Sequence, residues 1–346
     1  MKNITQPFPS KDGRKKPVHP TIIDRYGRTF YYLRMAVNEQ CNLRCIYCMP
    51  AEGVNFLQKG QLLTTHEIKR LLNVTSELGV SKIRFTGGEP LLRKDIPLLV
   101  KYAKNLTYVD YVHLTTNGIL IHRYLDELEN AGLSGINISL DTLKRDRFQF
   151  ITRRIGIEQV IENIHLAIKS QIPSVKINVV VMREFNHDEL LDFAQLTMDY
   201  NITVRFIELM PFDAHQIWKT GKFYRAEHIV NDLKAQANQL QEVAGSSTEH
   251  YVFKMKNAKG KIAVIPAYSR NLCGTCNRIR ITADGKLLNC LYSQEEANLR
   301  DLMRKGYSDG GIKALIKKTF LNKHMDGWDA QQTNSLYRES MTQIGG

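Results

Sequence analysis

Short apolar runs alternate along the chain with longer segments whose apolar residues recur every three or four positions. The runs at 31–37 (YYLRMAV), 82–86 (KIRFT), 109–114 (VDYVHL), 136–140 (INISL), 175–181 (VKINVVV) and 203–209 (TVRFIEL) have the length and composition of buried strands. Between them, 65–79, 95–104, 122–132, 157–171 and 187–200 carry helical periodicity. Ile68, Leu71, Leu72 and Leu78 share one face of the first helix, with Thr64 or Thr65 as its N-cap. Val160, Ile161, Ile164 and Ile168 share a face in 157–171. Strands separated by helices imply parallel pairing through right-handed crossovers. An open doubly wound sheet and a partial barrel both satisfy this pattern, and both gather chemistry at the carboxyl ends of the strands.

The unusual residues fall at those ends. Cys41 follows the first run, Gly87-Gly88-Glu89-Pro90 the second and Thr115-Thr116-Asn117-Gly118 the third. Ser139 and Asp141 flank the end of the fourth, and Glu208 and Met210 end the sixth. Past residue 240 the pattern changes. The loop-like stretch 241–249 leads to short strands near 251–255 and 261–265, then to a hairpin turning at Ala283-Asp284-Gly285-Lys286. The expected organisation is a basic flexible tail over 1–24, an α/β unit over 25–240 and a distinct region over 241–346.

Charge and composition narrow the function. A net charge of +13 fits either an anionic partner or a well-solvated surface. The basic residues are spread out apart from Arg14, Lys15 and Lys16, which argues against a nucleic-acid stripe. No apolar run approaches the ~20 residues of a membrane span. The opening MKNITQPFPSKDGRKKP lacks the apolar core of a secretory signal, so a cytoplasmic protein is expected.

The 6 cysteines form two tight groups, Cys41-x3-Cys45-x2-Cys48 and Cys273-x2-Cys276-x13-Cys290. They are too sparse for a disulfide scaffold, and clustered thiols in a reducing compartment bind metal. Positions 41, 45 and 48 also suit one buried helix face, but Asn42, Arg44, Pro50 and Gly53 speak for a loop. Three thiolates there suit a [4Fe–4S] cluster with one iron open to another ligand. Zinc is the alternative, although no His lies close in sequence to complete its set.

Cys41-x3-Cys45-x-Tyr47-Cys48 resembles the signature of radical S-adenosylmethionine (SAM) enzymes, and Gly87-Gly88-Glu89-Pro90 resembles their SAM-binding turn. Two glycines let a backbone approach a ligand closely. Cys273-Gly-Thr-Cys276-Asn-Arg278-Ile-Arg280, Cys290 and the terminal Gly345-Gly346 narrow the resemblance to the GTP 3′,8-cyclases of molybdenum cofactor biosynthesis, over about residues 25–346. The resemblance implies a partial (β/α)6 TIM-like barrel with a C-terminal auxiliary cluster region. It implies two [4Fe–4S] clusters, a first on Cys41, Cys45 and Cys48 and a second on Cys273, Cys276 and Cys290. Tyr47, Gly88, Ser139 and Met210 then match SAM contacts. Arg34, Arg84, Thr115, Lys176, Arg278, Ile279 and Arg280 match GTP contacts. Arg34, Arg278, Arg280, Gly345 and Gly346 match catalytic positions, the two glycines as a tail reaching the active site. An external electron donor and a downstream cyclic pyranopterin monophosphate synthase are the implied partners, with a homodimer left open. The chemistry of the residues agrees: Arg34 sits in an apolar strand, and Lys176 and Asn178 alternate within another, so buried cations await anions.

There are departures from the family pattern. Arg153 follows Ile-Thr where a glycine is common, Asn-Glu-Gln precedes Cys41, and the amino-terminal tail is long. Two other functions remain consistent with the cysteines: a two-cluster radical SAM enzyme acting on a peptide, and a non-enzymatic zinc-binding nucleic-acid module.

Overall fold

The computed structural model describes residues 22–210, 220–237, 239–245, 250–269, 272–292, 296–332 and 340–344. A hairpin of β1 (Ile22–Ile23) and β2 (Thr29–Phe30) opens it. Six strands follow: β3 (Tyr32–Ala36), β4 (Lys82–Thr86), β5 (Tyr111–Thr116), β6 (Gly135–Ser139), β7 (Val175–Val181) and β8 (Thr203–Glu208). They pair in parallel in that order. The crossovers carry α1 (Thr65–Glu77), α2 (Ile96–Lys104), α3 (Ile121–Asn130), α4 (Arg145–Thr152), α5 (Ile157–Lys169) and α6 (Leu190–Asp199), and α7 (Ala226–Gln236) follows β8. Thr64 is the N-cap of α1: its hydroxyl accepts from the Glu67 N–H, and the Glu67 carboxylate returns to the Thr64 N–H, a capping box. The short polar helix α4, with only Phe148 and Ile151 as buried apolar residues, has too weak a stripe to be read from sequence.

The region past 240 extends both edges of this sheet. It contributes β9 (Leu240–Glu242), β10 (Tyr251–Met255), β11 (Lys261–Ile265), β12 (Arg278–Ile281), β13 (Lys286–Leu288) and β14 (Glu296–Asn298). β11 pairs in parallel with β8, and β12 in parallel with β3. The strand order is β14-β13-β12-β3-β4-β5-β6-β7-β8-β11-β10-β9, and among the described residues its two ends do not pair. The result is a partial barrel whose parallel core is lengthened by one strand at each side. Helices α8 (Leu299–Arg304), α9 (Asp309–Leu321) and α10 (Gly327–Gln332) follow, and a short 3-10 turn at Met341–Ile344 ends the described chain. One apolar core runs between sheet and helices, from Ile22 and Phe30 through Phe85, Phe193 and Phe206 to Phe320.

The last residues of the stretch expected as a basic tail over 1–24 belong to the fold. Ile22 and Ile23 are strand residues, and Asp24 is buried in an ion pair with Arg28 at 2.5 Å. Residues 1–21 lie outside the described residues. No described helix is long and apolar enough to cross a membrane.

Candidate active site

Alternation along parallel strands sends Arg34 of β3, Arg84 of β4, Asn178 of β7, Arg205 of β8 and Arg278 and Arg280 of β12 to one side, where they line a cavity of about 410 Å³. All six cysteines line the same cavity, so two groups more than two hundred residues apart in sequence face one space. Tyr47, Gly88, Thr115, Ser139 and Met210 also line it. Lys176 stands one inward position before Asn178 but is not part of the lining. Ile279 is fully buried in the apolar core, so its side chain does not face the cavity and only its backbone is available to a ligand. Gly345 and Gly346 lie outside the described residues. The chain just before them does reach the site: Met341 and Thr342 line the cavity, and the Met341 N–H donates to the Cys48 carbonyl at 3.2 Å.

The first cysteine loop is built on the end of β3. The Cys48 and Met49 N–H groups close on the Cys45 carbonyl at 2.9 and 3.0 Å. Cys41 Sγ accepts from the Leu43 N–H at 3.4 Å and from Asn117 Nδ2 at 3.7 Å. Burial pushes the Cys41 thiol up to about 11 and that of Cys45 well above the ordinary range, with Cys48 and Cys41 adding to the latter. Such thiols are poor ligands until a cation takes their protons, which is what iron does. Tyr47 Oη donates to Asp141 Oδ2 at 2.7 Å, and Asp141 Oδ1 accepts from the Val180 N–H at 2.7 Å, pinning the loop to β7.

Gly87 and Gly88 have a reason beyond ligand access. A Cβ on Gly87 would overlap the Asn38 carbonyl oxygen, and one on Gly88 those of Glu39 and Gln40. The Gly88 N–H donates to Asn38 O at 3.0 Å and the Glu89 N–H to Gln40 O at 2.7 Å, so this turn is packed against the lead-in to Cys41. Glu89, fully buried, accepts from Thr116 Oγ1 and the Asn117 N–H, both at 2.7 Å. Glu208 is likewise structural, gathering the N–H groups of Ala226, Tyr268 and Ser269.

In the second group, burial raises the Cys273 thiol. At Cys276 burial also raises it, but the charges of Lys323, Arg278 and Arg280 outweigh that and the thiol is lowered. Among the described residues no three His, Cys, Asp or Glu side chains converge on a single-ion site. The donor chemistry, three soft thiolates in each group with N–H donors to sulfur in the first, fits an iron–sulfur cluster.

The cation cluster is larger than the sequence suggested. Arg280, Arg34 and Arg84 occupy successive register positions across β12, β3 and β4. Arg205, Lys82 and Tyr32 belong with them. Burial first, then Arg34 and Arg278, lower Arg280 well below its ordinary value; burial, with Arg34, Arg205 and Arg278, brings Arg84 down to about 9. Arg84 Nε and Arg280 Nη1 are buried without a hydrogen-bond partner among the described residues. Arg84 Nη2 donates to Asn137 at 3.0 Å once that amide presents its oxygen. Burial raises the Tyr32 hydroxyl, but Arg84, Arg34, Lys82 and Arg278 together bring it down to about 7. His113, beside a position where only Gly135 leaves room for its ring, is lowered to about 2 by burial and by Arg84, Lys82 and Lys176. Arg205 is flagged in sequence by the same motif as Arg34 and Arg84, one arginine inside an apolar strand.

A partial barrel carrying a three-cysteine loop at the end of its first barrel strand defines a radical SAM protein, and comparison agrees. The Radical SAM superfamily matches residues 35–197, and Molybdenum Cofactor Synthesis C matches residues 202–327. The chain is 43% identical to the GTP 3′,8-cyclase of Chlorobaculum tepidum, over 94% of this chain and 97% of that protein. It is 42% identical to human Molybdenum cofactor biosynthesis protein 1 over 90% of this chain, where it spans 52% of the longer relative. Among solved structures, Streptococcus suis SuiB bound to S-adenosylmethionine matches in fold with TM-score 0.55 and 16% identity, covering 83% of this chain and 69% of that one. The chain therefore belongs to the GTP 3′,8-cyclase family of radical SAM enzymes, acting in molybdenum cofactor biosynthesis.

Proposed function

We propose that the chain converts GTP to 3′,8-cyclo-7,8-dihydro-GTP in the cavity between the two cysteine groups. The observation that carries this reading is one cavity lined by all six thiols and by Arg34, Arg84, Arg205, Arg278 and Arg280. A triphosphate answers that cation cluster better than a peptide does. Membership of the radical SAM superfamily implies a [4Fe–4S] cluster and SAM, and we assign both to the first triad. The second cluster, on Cys273, Cys276 and Cys290, is our inference from the same donor chemistry, as is the guanine side of GTP next to it.

In this arrangement Cys41, Cys45 and Cys48 hold the first cluster, and the backbone of Tyr47 and Gly88 with Ser139 and Met210 holds SAM. Bound there, the pair supplies a 5′-deoxyadenosyl radical able to take a hydrogen atom from carbon. Arg34, Arg84, Thr115 and Arg280, which line the cavity, would orient the triphosphate and with it the ribose and base that carry C3′ and C8. Holding both carbons in place is the protein's main contribution to such a ring closure. Ile265 of β11, Arg278 and Arg280 of β12, and Met341 and Thr342 form part of the cavity wall, which would restrict water at the reacting carbons. An external one-electron donor is required, and a cyclic pyranopterin monophosphate synthase would consume the product. Reduced thiols and one-electron chemistry suit a reducing, cytoplasmic setting.

Anaerobic incubation with SAM, a reductant and GTP tests the reading. Mass analysis should find 5′-deoxyadenosine and an isomer of GTP in equal amounts. 5′-Deoxyadenosine without a GTP isomer would refute the substrate assignment, and no 5′-deoxyadenosine would refute the radical chemistry.

A further inference from the structure

Two arginines outside both cysteine motifs reach the loops that carry them. Arg153 follows α4 with φ of +54°, in the left-handed region that a residue with a side chain keeps only when its surroundings hold it. From there Nη1 donates to the carbonyls of Arg44 at 2.8 Å and Met49 at 2.9 Å, which bracket Cys45 and Cys48. The end of α4 adds two main-chain bonds, from the Arg44 N–H to Thr152 O and from the Ile46 N–H to Ile151 O, both at 2.9 Å. The first loop is thus tied at both ends to one turn.

Arg28 does the corresponding thing at the second loop. Its Nε is paired with buried Asp24 at 2.5 Å. Its Nη1 donates to the carbonyls of Cys273 at 2.8 Å and Met325 at 2.6 Å, and Nη2 to that of His324 at 2.7 Å. The same Cys273 carbonyl accepts the Cys276 N–H at 3.1 Å. A guanidinium, with several donors in a fixed plane, suits this task better than an ammonium.

We propose that Arg153 and Arg28 are positioning residues, one for each cysteine triad, fixing ligand separations through main-chain carbonyls before any cluster is bound. This rests on the reading above that each triad holds a cluster. Groups that orient ligands without touching the metal commonly change metal affinity about 10–100-fold when removed.

The test uses full-length Arg153→Met, Arg153→Lys, Arg153→Gly and Arg28→Lys, the last chosen because it keeps a charge for Asp24. Hydrogen exchange of the unloaded chains comes first. Arg153→Met should speed exchange of the Arg44, Ile46, Cys48 and Met49 amides about tenfold, and Arg28→Lys that of Cys276, each leaving the other loop unchanged. After anaerobic reconstitution, spin-resonance spectra and reduction potentials should move for one cluster only, the first being the one whose spectrum responds to SAM. Arg153→Lys should recover part of the effect, because one ammonium can donate to both carbonyls. Arg153→Gly relieves the backbone, so a loss there assigns the role to the side chain. Unchanged loop exchange in Arg153→Met and Arg28→Lys would overturn the proposal, as would equal disturbance of both loops in either variant. Wild-type protein that binds no iron would instead overturn the cluster reading, while the exchange data still decide the positioning role.

Discussion

Arg34 and Arg280 are register partners on parallel strands β3 and β12, with Arg84 the next partner beyond Arg34. Like charges directly opposite one another on a sheet are destabilising, and Arg84 and Arg280 are buried. An arginine does not relieve such crowding by losing its proton. The cavity therefore favours an anion. GTP at about a hundred times its Kd should add about 2.7 kcal/mol, which in a chain this long raises Tm by about 3–4 °C. Arg280→Met should raise the Tm of the ligand-free protein and shrink the GTP-induced rise. Anaerobic thermal scans with and without GTP decide it, and a lower ligand-free Tm in Arg280→Met would contradict the crowding argument.

The same cluster separates the two ligands. Arg84→Ala and Arg280→Ala, at two arginines that line the cavity, should weaken GTP binding by ~1.5–3 kcal/mol, the usual cost of a charge-assisted contact, and SAM binding much less. Titration of both ligands against each variant measures this. Lost SAM affinity with unchanged GTP affinity would mean the two halves of the cavity are assigned backwards.

Tyr32 makes the cavity sensitive to pH. Its hydroxyl, raised by burial but lowered overall to about 7 by Arg84, Arg34, Lys82 and Arg278, titrates below the ordinary tyrosine value. A depressed acid adds stability that is full above its unfolded value of ~10 and is lost as pH falls through about 7. Stability should thus climb between these limits and climb less in Tyr32→Phe. A bound triphosphate neutralises the same cations and returns the proton, so GTP binding near pH 8 should take up about one proton. Calorimetry in buffers of different ionisation enthalpy reads the uptake directly; uptake undiminished in Tyr32→Phe would assign it elsewhere.

Much of this was legible in the sequence, and what was not has a physical cause. Runs 82–86, 175–181, 251–255 and 261–265 coincide with β4, β7, β10 and β11, because each is an apolar stretch bounded by polar residues. The placement of β11 and β12 on opposite edges of the barrel was hidden, since strand pairing across hundreds of residues leaves no local pattern. Lys82 and Tyr32 were hidden for the same reason, since only register shows that they share a wall with Arg34, whereas Arg205 carries the same sequence signal as Arg34 and Arg84. The pair of glycines was read as room for a ligand, whereas both also admit the backbone of Asn38, Glu39 and Gln40. Arg153 stood out as a departure from the family, but its two carbonyl partners needed the fold.

The two cysteine groups should be separable by mutation. Reconstituted protein should hold about eight irons, in two clusters of four. Cys45→Ser should abolish SAM cleavage, while Cys276→Ser should leave uncoupled cleavage without cyclised GTP. Iron and sulfide analysis with product assays checks both, and stoichiometric zinc without acid-labile sulfide would refute the cluster assignment.

The last expectation concerns the carboxyl end. Ile344 is buried with Leu288 and packed near Met210, Leu291, Tyr292 and Met341, and the Met341 N–H holds the Cys48 carbonyl. Residues 340–344 are therefore anchored at the cavity, one residue before Gly345 and Gly346. From that anchor two residues without side chains are small enough for a narrow space, and their backbone groups could meet Arg34, Arg278 or Arg280. Such a contact would orient arginines around bound GTP and act on turnover more than on binding. Deleting Gly345 and Gly346 should leave iron content and GTP affinity nearly unchanged while cyclisation falls at least about tenfold, the loss that one charge-assisted contact in the transition state would cause. Deletion that also removes Ile344 should lower stability as well, because it empties a buried apolar site. The two truncations together separate anchoring from catalysis. A chain lacking only the two glycines that makes product at the wild-type rate would show that the end is an ordinary frayed terminus.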